Sequence, residues 1–325
     1  MRYITNQSTD PAYNLAAEEW LLTNTDTEVF MLWRNAPAVI VGRNQNTLAQ
    51  IDETFVRERG IPVVRRLSGG GAVFHDLGNI NFTFISLDGG RGDLDFLRFT
   101  TPIVDALGSM GLPCTFDGRN DLVINGRKIS GNAQHIAQGR VLHHGTLLFS
   151  ADITDITGAL RVDPEKYKDK AVQSVRKRVT NIADHLPEPM DVVEFMDRLM
   201  AYVSNGCEQG RTTLSEEEER AIQGLADTRY RKWEWNYGHS PAYGFTRITR
   251  TPGGVVEAHL DVRSGVIRKI RLFGDYFGAR DIAELETMLA GCRHDRDELA
   301  CALESTPLEP FMRGVDLPTL IDCLF

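Results

Sequence analysis

The sequence of 325 residues is poor in cysteine and has no long apolar run. Its five cysteines are odd in number and scattered, and none stands in a CxxC or other metal-ligand spacing. We expect reduced thiols in a cytosol, most of them small core residues. No run approaches the roughly 18 apolar residues of a membrane span, and the polar start "MRYITNQSTDPAYN" has no signal-peptide core. The sequence therefore predicts a cytoplasmic protein with no membrane partner.

Basic residues are also in the minority. Lys and Arg number 36 against 45 Asp and Glu, and the net charge of −9 disfavours a protein that binds duplex nucleic acid. The apolar share of 42% and the charged share of 25% are those of an ordinary globular protein. Because this length exceeds the usual single core, we expect one large domain and one small domain.

Hydrophobic periodicity and turn residues predict an α+β fold. A first helix is expected over 10–22, with Asp10 as N-cap and Pro11 at the first helical position. Turns rather than helices join the short strands. Two hairpin turns are expected, at Asn125-Gly126 and at Gln138-Gly139. We therefore predict a mixed or antiparallel-sheet domain at 1–246 and a small α+β domain, a ββαα unit, at 247–325. The expected strands are 29–33, 38–42, 61–67 and 79–86, and the expected helices are about 151–160, 190–205 and 214–226.

The stretch "RRLSGGGAVFHD", residues 65–76, places three glycines after a basic pair. It lacks the Gly-Lys-Ser/Thr ending of a Walker loop, the spacing of a dinucleotide fingerprint and the glycine that precedes a nucleophile elbow. Three glycines can still present successive N–H groups to an anion, with Arg65 and Arg66 adding charge. A flexible turn with solvated arginines is the alternative. The next strand favours a pocket, since its polar residues Asn79, Asn81 and Thr83 share one face.

A lysine on the predicted 121–130 hairpin is the second candidate. A two-residue turn sets Val123 opposite Lys128, so Asp121, Val123, Lys128 and Ser130 share a face. Asp121 then lies within reach of Lys128 and would orient it toward a carboxylate and a phosphate. An ordinary surface lysine remains the alternative.

Two further segments carry polar chemistry. His143 and His144 point to opposite faces of a strand, so they do not form a metal pair, whereas His144 and Thr146 share a face. The segment 166–181 is rich in Lys and Arg without apolar periodicity. It is either a solvated loop or a lid over an anion.

Together these motifs resemble the lipoate–protein ligase family. The stretches that carry the resemblance are "VVRRLSGGGAVFHDLGNINFTFI", "DLVINGRKISGNAQ", "LHHGTLLFSADI" and "SVRKRVTNI". The resemblance implies the biotin/lipoate ligase fold with a C-terminal accessory domain. It implies activation of lipoate by ATP, with Mg²⁺, to lipoyl-AMP, followed by transfer to a lysine of an acceptor domain. The implied acceptors are the E2 subunits of 2-oxoacid dehydrogenases and the glycine-cleavage H protein.

The resemblance also assigns site residues. Lys128 matches the catalytic lysine of the family, and the basic segment matches its adenylate-binding loop. Asp121 is a candidate Mg²⁺ ligand or a residue that orients Lys128. The positions implied to bind ATP or the adenylate are Arg66, Gly71, Ala72, Val73, Phe74, Asp121, Lys128, His144, Thr146 and Arg178. The positions implied to bind lipoate are Trp33, Arg66, Ser68, Gly69, Gly70, Gly71, His75, Asn79 and Lys128.

Three alternatives stay open. An ATP-independent lipoyl or octanoyl transferase of this fold would use a cysteine nucleophile, but "HHGTLLFS" contains none, and Cys114 precedes the Lys128 hairpin. A lipoyltransferase that needs supplied lipoyl-AMP would share the binding residues. A biotin ligase would carry a different glycine-arginine motif.

Overall fold

A mixed eight-stranded sheet carries the larger unit of the computed structural model, which describes residues 1–88, 94–118, 120–160 and 179–325. This unit comprises Met1–Lys232, and Trp233–Phe325 form the second unit. The order across the sheet is β11-β1-β2-β6-β10-β9-β8-β7, with β1 parallel to both of its neighbours. The strands are β1 (Arg2–Thr5), β2 (Val29–Arg34), β6 (Asn79–Ser86), β7 (Cys114–Asp117), β8 (Asp121–Ile124), β9 (Arg127–Ala137), β10 (Arg140–Leu148) and β11 (Arg211–Thr212).

A smaller sheet of the same unit has the order β4-β3-β5. Its strands are β3 (Ala38–Val41), β4 (Val63–Arg65) and β5 (Val73–His75). The glycine-rich stretch is therefore a loop between two strands, β4 and β5, as the sequence indicated. Because it opens no helix, a ligand at this loop meets backbone N–H groups without a helix dipole.

The helices of the first unit begin at strong caps. The side chain of Asp10 accepts from the N–H groups of Ala12 and Tyr13, and Pro11 is the first helical residue, as predicted. Ser215 and Glu218 form a complete capping box. The helices are α1 (Pro11–Asn24), α2 (Glu53–Glu58), α3 (Phe96–Ser109), α4 (Ile153–Ala159), α5 (Val192–Val203) and α6 (Glu216–Leu225).

Strand β6 separates the core from a polar layer. Its Ile80, Phe82 and Phe84 belong to the main hydrophobic cluster. Its Asn79, Asn81 and Thr83 are equally buried but lie on the opposite face. The predicted alternation is confirmed, and it gives one side of the sheet a row of buried hydrogen-bonding groups.

The β8–β9 hairpin turns at Asn125-Gly126, where both residues have positive φ, at 51° and 72°. Val123 pairs with Lys128, as expected. A bulge at Leu122/Val123 then shifts the register by one residue, so that Asp121 pairs with Gly131. The expectation that Ser130 shares the face of Lys128 is therefore wrong.

The second unit contains one strand and one helix more than the predicted ββαα unit. The added strand, β12 (Tyr243–Thr251), lies at the sheet edge with few buried side chains, so it gave no clear alternation. This strand also spans residue 246, and the domain boundary stays a prediction. The other elements are β13 (Gly254–Arg263), β14 (Val266–Gly274), α7 (Ala283–Leu289), α8 (Arg296–Leu303) and α9 (Leu317–Cys323).

The expectation that most cysteines are core residues is wrong. Cys114 and Cys323 are buried, Cys292 is partly buried, and Cys207 and Cys301 are exposed. All five are free thiols. Over the described ranges, no helix combines the length and apolar character needed to cross a bilayer.

Candidate functional site

A cavity of about 180 Å³ lies between the polar face of the large sheet, helix α1 and the glycine loop. The strands β6, β9 and β10 supply one wall, and the small sheet with its loop supplies another. The lining residues are Leu15, Trp33, Ile40, Arg66, Gly70, Gly71, Ala72, Val73, His75, Asn81, Asn120, Lys128, Gly131, Asn132, Ala133, His144, Gly145 and Thr146.

The glycine loop packs directly onto the end of β3. A Cβ on Gly42 would overlap the carbonyl oxygen of Gly70. Gly70 itself has a φ of +94°, in the region that favours glycine, and a Cβ there would lie 2.9 Å from Arg66 Nη2. A Cβ on Gly71 would meet no described atom within 4 Å. The close approach thus constrains Gly42 and Gly70.

Arg66, which directly precedes the loop, is held mainly by backbone carbonyls. Arg66 donates from Nε to Ser68 Oγ at 3.0 Å, from Nη1 to the Ile40 carbonyl at 3.2 Å, and from Nη2 to the Gly69 and Gly71 carbonyls at 2.6 and 2.8 Å. Burial lowers the pKa of Arg66 to about 10, so it stays charged near neutral pH. Arg66 therefore both shapes the loop and brings positive charge to the cavity.

Arg65 has a different role from the one expected. It is fully buried and donates to the carbonyls of Gly42, Arg43 and Gln45 at 2.8–3.0 Å, and to Thr47 Oγ1 at 2.6 Å. The expectation that Arg65 adds charge to an anion site on the glycine loop is wrong, because its guanidinium supports the segment 42–47.

Lys128 lies at the more exposed end of the cavity, which we call the mouth, and Asp121 contacts it there. Lys128 Nζ lies 2.6 Å from Asp121 Oδ1, and these side chains are 38% and 34% exposed. Lys128 passes over Gly131, where a Cβ would lie 3.1 Å from Nζ. The N–H of Gly131 donates to Thr146 Oγ1 at 3.2 Å. A lysine held in this way presents a cation at a fixed place.

Trp33, His75 and His144 form the closed end of the cavity. Trp33 is 2% exposed, and its Nε1–H donates to Thr83 Oγ1 at 2.8 Å. With its polar group paired inside the protein, the indole offers an apolar surface to the cavity. The rings of Trp33 and His75 meet edge-on, with centroids 6.2 Å apart.

His144 is the centre of a buried hydrogen-bond chain. Its Nδ1 lies 3.0 Å from both carboxylate oxygens of Glu18, and its Nε2 lies 2.6 Å from Ser68 Oγ. Thr83 Oγ1 also donates to Glu18, at 2.6 Å. The carboxylate accepts from Nδ1–H, and Nε2 shares a hydrogen bond with the hydroxyl of Ser68. Because Ser68 Oγ also accepts from Arg66, this chain links helix α1 to the glycine loop.

The order Ser–His–acid is that of a nucleophilic triad, but the position of Ser68 favours another role. Ser68 is 1% exposed, and it lies behind the described residues that line the cavity. We therefore interpret the chain as a support that fixes the loop.

The cavity brings together many of the predicted site residues. Ser68, Gly69, Phe74, Asn79 and Asp121 lie in contact with the lining. Phe74 pairs with Val39 in the small sheet, and Asn79 Nδ2 donates to Asn81 Oδ1 at 3.1 Å. The predicted residues that line it are Trp33, Arg66, Gly70, Gly71, Ala72, Val73, His75, Lys128, His144 and Thr146.

The basic segment lies mostly outside the described residues, and so does Arg178. Its described end, Val179, forms a bridge with Lys128, and the Thr180 N–H donates to the Lys128 carbonyl at 3.0 Å. This places the end of the segment beside the hairpin. Its predicted role as an adenylate-binding loop stays a prediction.

Four polar residues at the cavity were not predicted from the sequence: Asn120, which lines it, and Asn14, Glu18 and Asn35, which lie behind it. Asn14 and Glu18 stand one turn apart on α1, and both are fully or nearly fully buried. A pair of polar residues at i and i+4 among apolar ones was the available signal. Asn35 contacts residues of separate elements, so the sequence around it could not predict its role.

Comparison with known proteins assigns the family. The lipoyl protein ligase A/B catalytic domain family matches residues 10–204, and the bacterial lipoate protein ligase C-terminus family matches residues 240–324. The chain belongs to the lipoate–protein ligase family and is an enzyme of that family. It is 40% identical over 331 aligned positions to lipoate-protein ligase LplJ of Bacillus subtilis, with 100% of each chain covered.

Solved structures share this fold. A bi-partite lipoate protein ligase of Thermoplasma acidophilum, described with its E2 lipoyl domain, is 28% identical with a TM-score of 0.65. The match covers 73% of this chain and 96% of that one. Lipoate-protein ligase A bound with ATP is 25% identical with a TM-score of 0.62, over 73% of this chain and 98% of that one. These matches confirm the α+β fold expected from the sequence.

Proposed function

We propose that this enzyme activates lipoate with ATP to lipoyl-AMP and transfers the lipoyl group to a lysine of an acceptor domain. The observation that carries the proposal is the cavity itself, with a held lysine at its mouth and an apolar wall at its closed end. This arrangement suits an acid with a long apolar chain. Relatives named lipoate-protein ligase and a ligase structure bound with ATP support the same reaction.

The proposed reaction has two steps. A carboxylate oxygen of lipoate attacks the α-phosphorus of ATP, and the P–O bond to pyrophosphate breaks. The amine of the acceptor lysine, once deprotonated, then attacks the acyl carbon, and the C–O bond to AMP breaks. Negative charge grows on oxygen in both steps, so fixed positive groups at the mouth would lower both barriers.

We assign Lys128 to the acyl and phosphoryl oxygens, because Asp121 holds its ammonium at the mouth. Arg66, Ser68 and Gly69–Gly71 form the loop assigned to lipoate and the adenylate. Ala72, Val73 and Phe74, with His144 and Thr146, are assigned to the nucleotide side. Trp33, His75 and Asn79 are assigned to lipoate. These roles rest on the lining of the cavity together with the family resemblance.

The described residues do not build a metal site of their own. Among them, no group of three or more His, Cys, Asp or Glu side chains could hold an ion. Asp121 already contacts Lys128, which favours its role as the orienting carboxylate. The Mg²⁺ expected with ATP would be held mainly by the phosphates, with Asp121 as its candidate protein ligand, and no step of the proposed reaction is routed through it.

The proposed acceptors are E2 lipoyl domains and the glycine-cleavage H protein. An E2 lipoyl domain accompanies the Thermoplasma ligase described above. The cysteine-dependent transferase has less support, because Cys114 packs in the hydrophobic core and burial raises the pKa of its thiol to about 11.

The test is mass spectrometry of a purified E2 lipoyl domain after incubation with lipoate, with and without ATP. We expect the lipoyl adduct and the release of pyrophosphate only in the incubation that contains ATP. An adduct formed without ATP from an acylated carrier protein would instead favour a transferase. An adduct formed from supplied lipoyl-AMP but never from lipoate and ATP would indicate the lipoyl-AMP-dependent enzyme.

A further inference from the structure

A histidine in the hydrophobic core is hydrogen-bonded to the wall of the cavity. His143 is fully buried, and its ring stacks on those of Phe82 and Phe99, whose centroids lie 5.9 and 5.1 Å from its own. Both ring nitrogens are nevertheless paired: Nδ1 lies 2.9 Å from Gln134 Nε2, and Nε2 lies 3.2 Å from Asn132 Oδ1. Because Asn132 lines the cavity, this contact leads from the core to the candidate site.

The partners of the two amides decide which nitrogen of the ring carries the hydrogen. Gln134 Nε2 also donates to the Asp95 carbonyl at 2.7 Å, so its amino group faces Nδ1, which therefore accepts. Asn132 Nδ2 donates to the Asn120 carbonyl at 3.0 Å, so its oxygen faces Nε2, which therefore donates. Burial lowers the pKa of His143 to about 3, so the ring is neutral near neutral pH. Both amides thus require the same tautomer, with the hydrogen on Nε2.

The bond from His143 orients an amide that joins two strands. The Asn120 carbonyl accepts from the main-chain N–H of Asn132 at 2.9 Å and from its Nδ2 at 3.0 Å. Asn120 in turn donates from its own Nδ2 to the Asn132 carbonyl at 2.7 Å. With Nε2–H as its donor, the Asn132 amide has one favourable orientation. The reverse would place oxygen against oxygen at Asn120 and hydrogen against hydrogen at His143.

The side chain of Asn132 packs directly on the neighbouring strand. Asn132 pairs with Gly145 of β10, and a Cβ on that glycine would lie 2.2 Å from Asn132 Oδ1. The amide is 3% exposed as part of a buried residue, so water does not compete for its hydrogen bonds. Its position therefore depends on the protein groups at its two ends.

The two asparagines adjoin the residues that hold Lys128. Asn120 directly precedes Asp121, whose Oδ1 lies 2.6 Å from Lys128 Nζ. On the other strand, Asn132 directly follows Gly131, over which Lys128 passes. A shift of the main chain at either asparagine would therefore move the support of the ammonium.

We propose that His143 is a positioning residue of this ligase, which acts through Asn132 on the hairpin that carries Lys128. Its Nε2–H fixes the Asn132 amide, and that amide fixes the main chain at Asn120. The inference deepens the proposed function and rests on the role of Lys128 in it. A misplacement of about 1 Å at a reacting group can cost about 100-fold in rate, so the loss of one bond in the core should be visible in turnover.

The first test observes the tautomer and needs no substrate. ¹⁵N NMR near neutral pH should show the His143 ring protonated at Nε2 and not at Nδ1, and the His143→Gln variant identifies the signal by its absence. A ring held only by packing on Phe82 and Phe99 would require neither tautomer. Protonation at Nδ1 would overturn the inference.

The second test separates the two nitrogens by substitution. His143→Gln can place an amide N–H near the position of Nε2 and so keep the donor to Asn132. His143→Asn reaches only the position of Nδ1, so it keeps an acceptor for Gln134 and loses that donor. With lipoate and ATP, we expect kcat for pyrophosphate release to fall about 10- to 100-fold in His143→Asn and less than about threefold in His143→Gln. The KM for lipoate should change little, since His143 is not among the residues that line the cavity.

Hydrogen exchange and urea unfolding of the same two variants distinguish positioning from a general loss of stability. The main-chain N–H of Asn132, which donates to the Asn120 carbonyl, should exchange about tenfold faster in His143→Asn than in His143→Gln. Equal kcat in the two variants, or losses of kcat that only follow their free energies of unfolding, would overturn the positioning role. A wild-type enzyme that releases no pyrophosphate would instead refute the proposed function, and the tautomer and exchange results would set that outcome apart.

Discussion

The two ends of the cavity differ in how firmly the protein holds their polar groups. At the mouth, Lys128 has one carboxylate partner and remains partly exposed. At the closed end, His75 and His144 are fixed by hydrogen-bond chains that start one turn apart on α1, at Asn14 and Glu18. The mouth thus offers a cation held by a single ion pair, and the closed end offers side chains held by several hydrogen bonds. We therefore propose that the chemical steps take place at the mouth.

Removing the charge at the mouth should have the largest effect. We expect Lys128→Ala to lower the rate of pyrophosphate release by about 10²- to 10³-fold, because a fixed positive group is lost where negative charge grows. Thermal unfolding should be little changed. Asp121→Asn is the matched control, since it keeps the lysine and weakens only a partly exposed ion pair, and should cost less than about fivefold. Wild-type turnover in Lys128→Ala would contradict its role.

The glycine loop lines the same cavity, and substitutions at its Gly70 and Gly71 should differ in their effect on stability. Gly70→Ala adds a Cβ close to Arg66 and strains a positive φ, so we expect the free energy of unfolding to fall by about 1–2 kcal/mol, with weaker lipoate binding. Gly71→Ala is the matched variant, and its Cβ meets open space. Chemical denaturation and calorimetry measure both. Equal losses in the two variants would contradict the close packing of Gly70 on Arg66.

Breaking the hydrogen-bond chain behind the closed end should lower the stability of the protein. Glu18→Leu leaves the buried Nδ1–H of His144 and the hydroxyl of Thr83 without their acceptor, so we expect a loss of about 1–3 kcal/mol of folding free energy. Glu18→Gln keeps one accepting oxygen and should lose less. Urea denaturation compares the two variants. A Glu18→Leu variant as stable as wild type would argue against the support role of this chain.

The last comparison concerns pH, and its effect near neutral pH is the smallest of the four. Burial lowers the pKa of His143 to about 3, where it stacks on Phe82 and Phe99. The unfolded chain therefore binds more protons than the folded one below about pH 6.5, and the free energy of unfolding falls as pH falls toward 3. His143→Phe should reduce this slope by up to about 1.4 kcal/mol per pH unit, whatever its effect on stability near neutral pH. An unchanged slope would mean that His143 is not buried in its neutral form.

The adjacent histidines and the Lys128 hairpin show which features of the structure the local sequence pattern can predict. Strand geometry alone separates His143, which faces the core, from His144, which lines the cavity. The Asn125-Gly126 turn alone predicts the pairing of Val123 with Lys128. The bulge one residue further on could not be predicted, because it depends on how β8 and β9 pack in the whole sheet. The contact between Lys128 and Asp121 formed in spite of it.

The sequence by itself determined many of the elements, the buried face of β6 and the family, since backbone periodicity, caps and turns are local properties and the motifs are long. Only the tertiary structure decided what the polar residues do. The contacts that orient His75 and His144 join residues 40 and 126 positions apart, and those that engage Arg65 reach back 18 to 23 positions to the segment after β3. A buried hydrogen bond depends on which groups the fold brings within about 3 Å. Spacing along the chain carries no information about that distance.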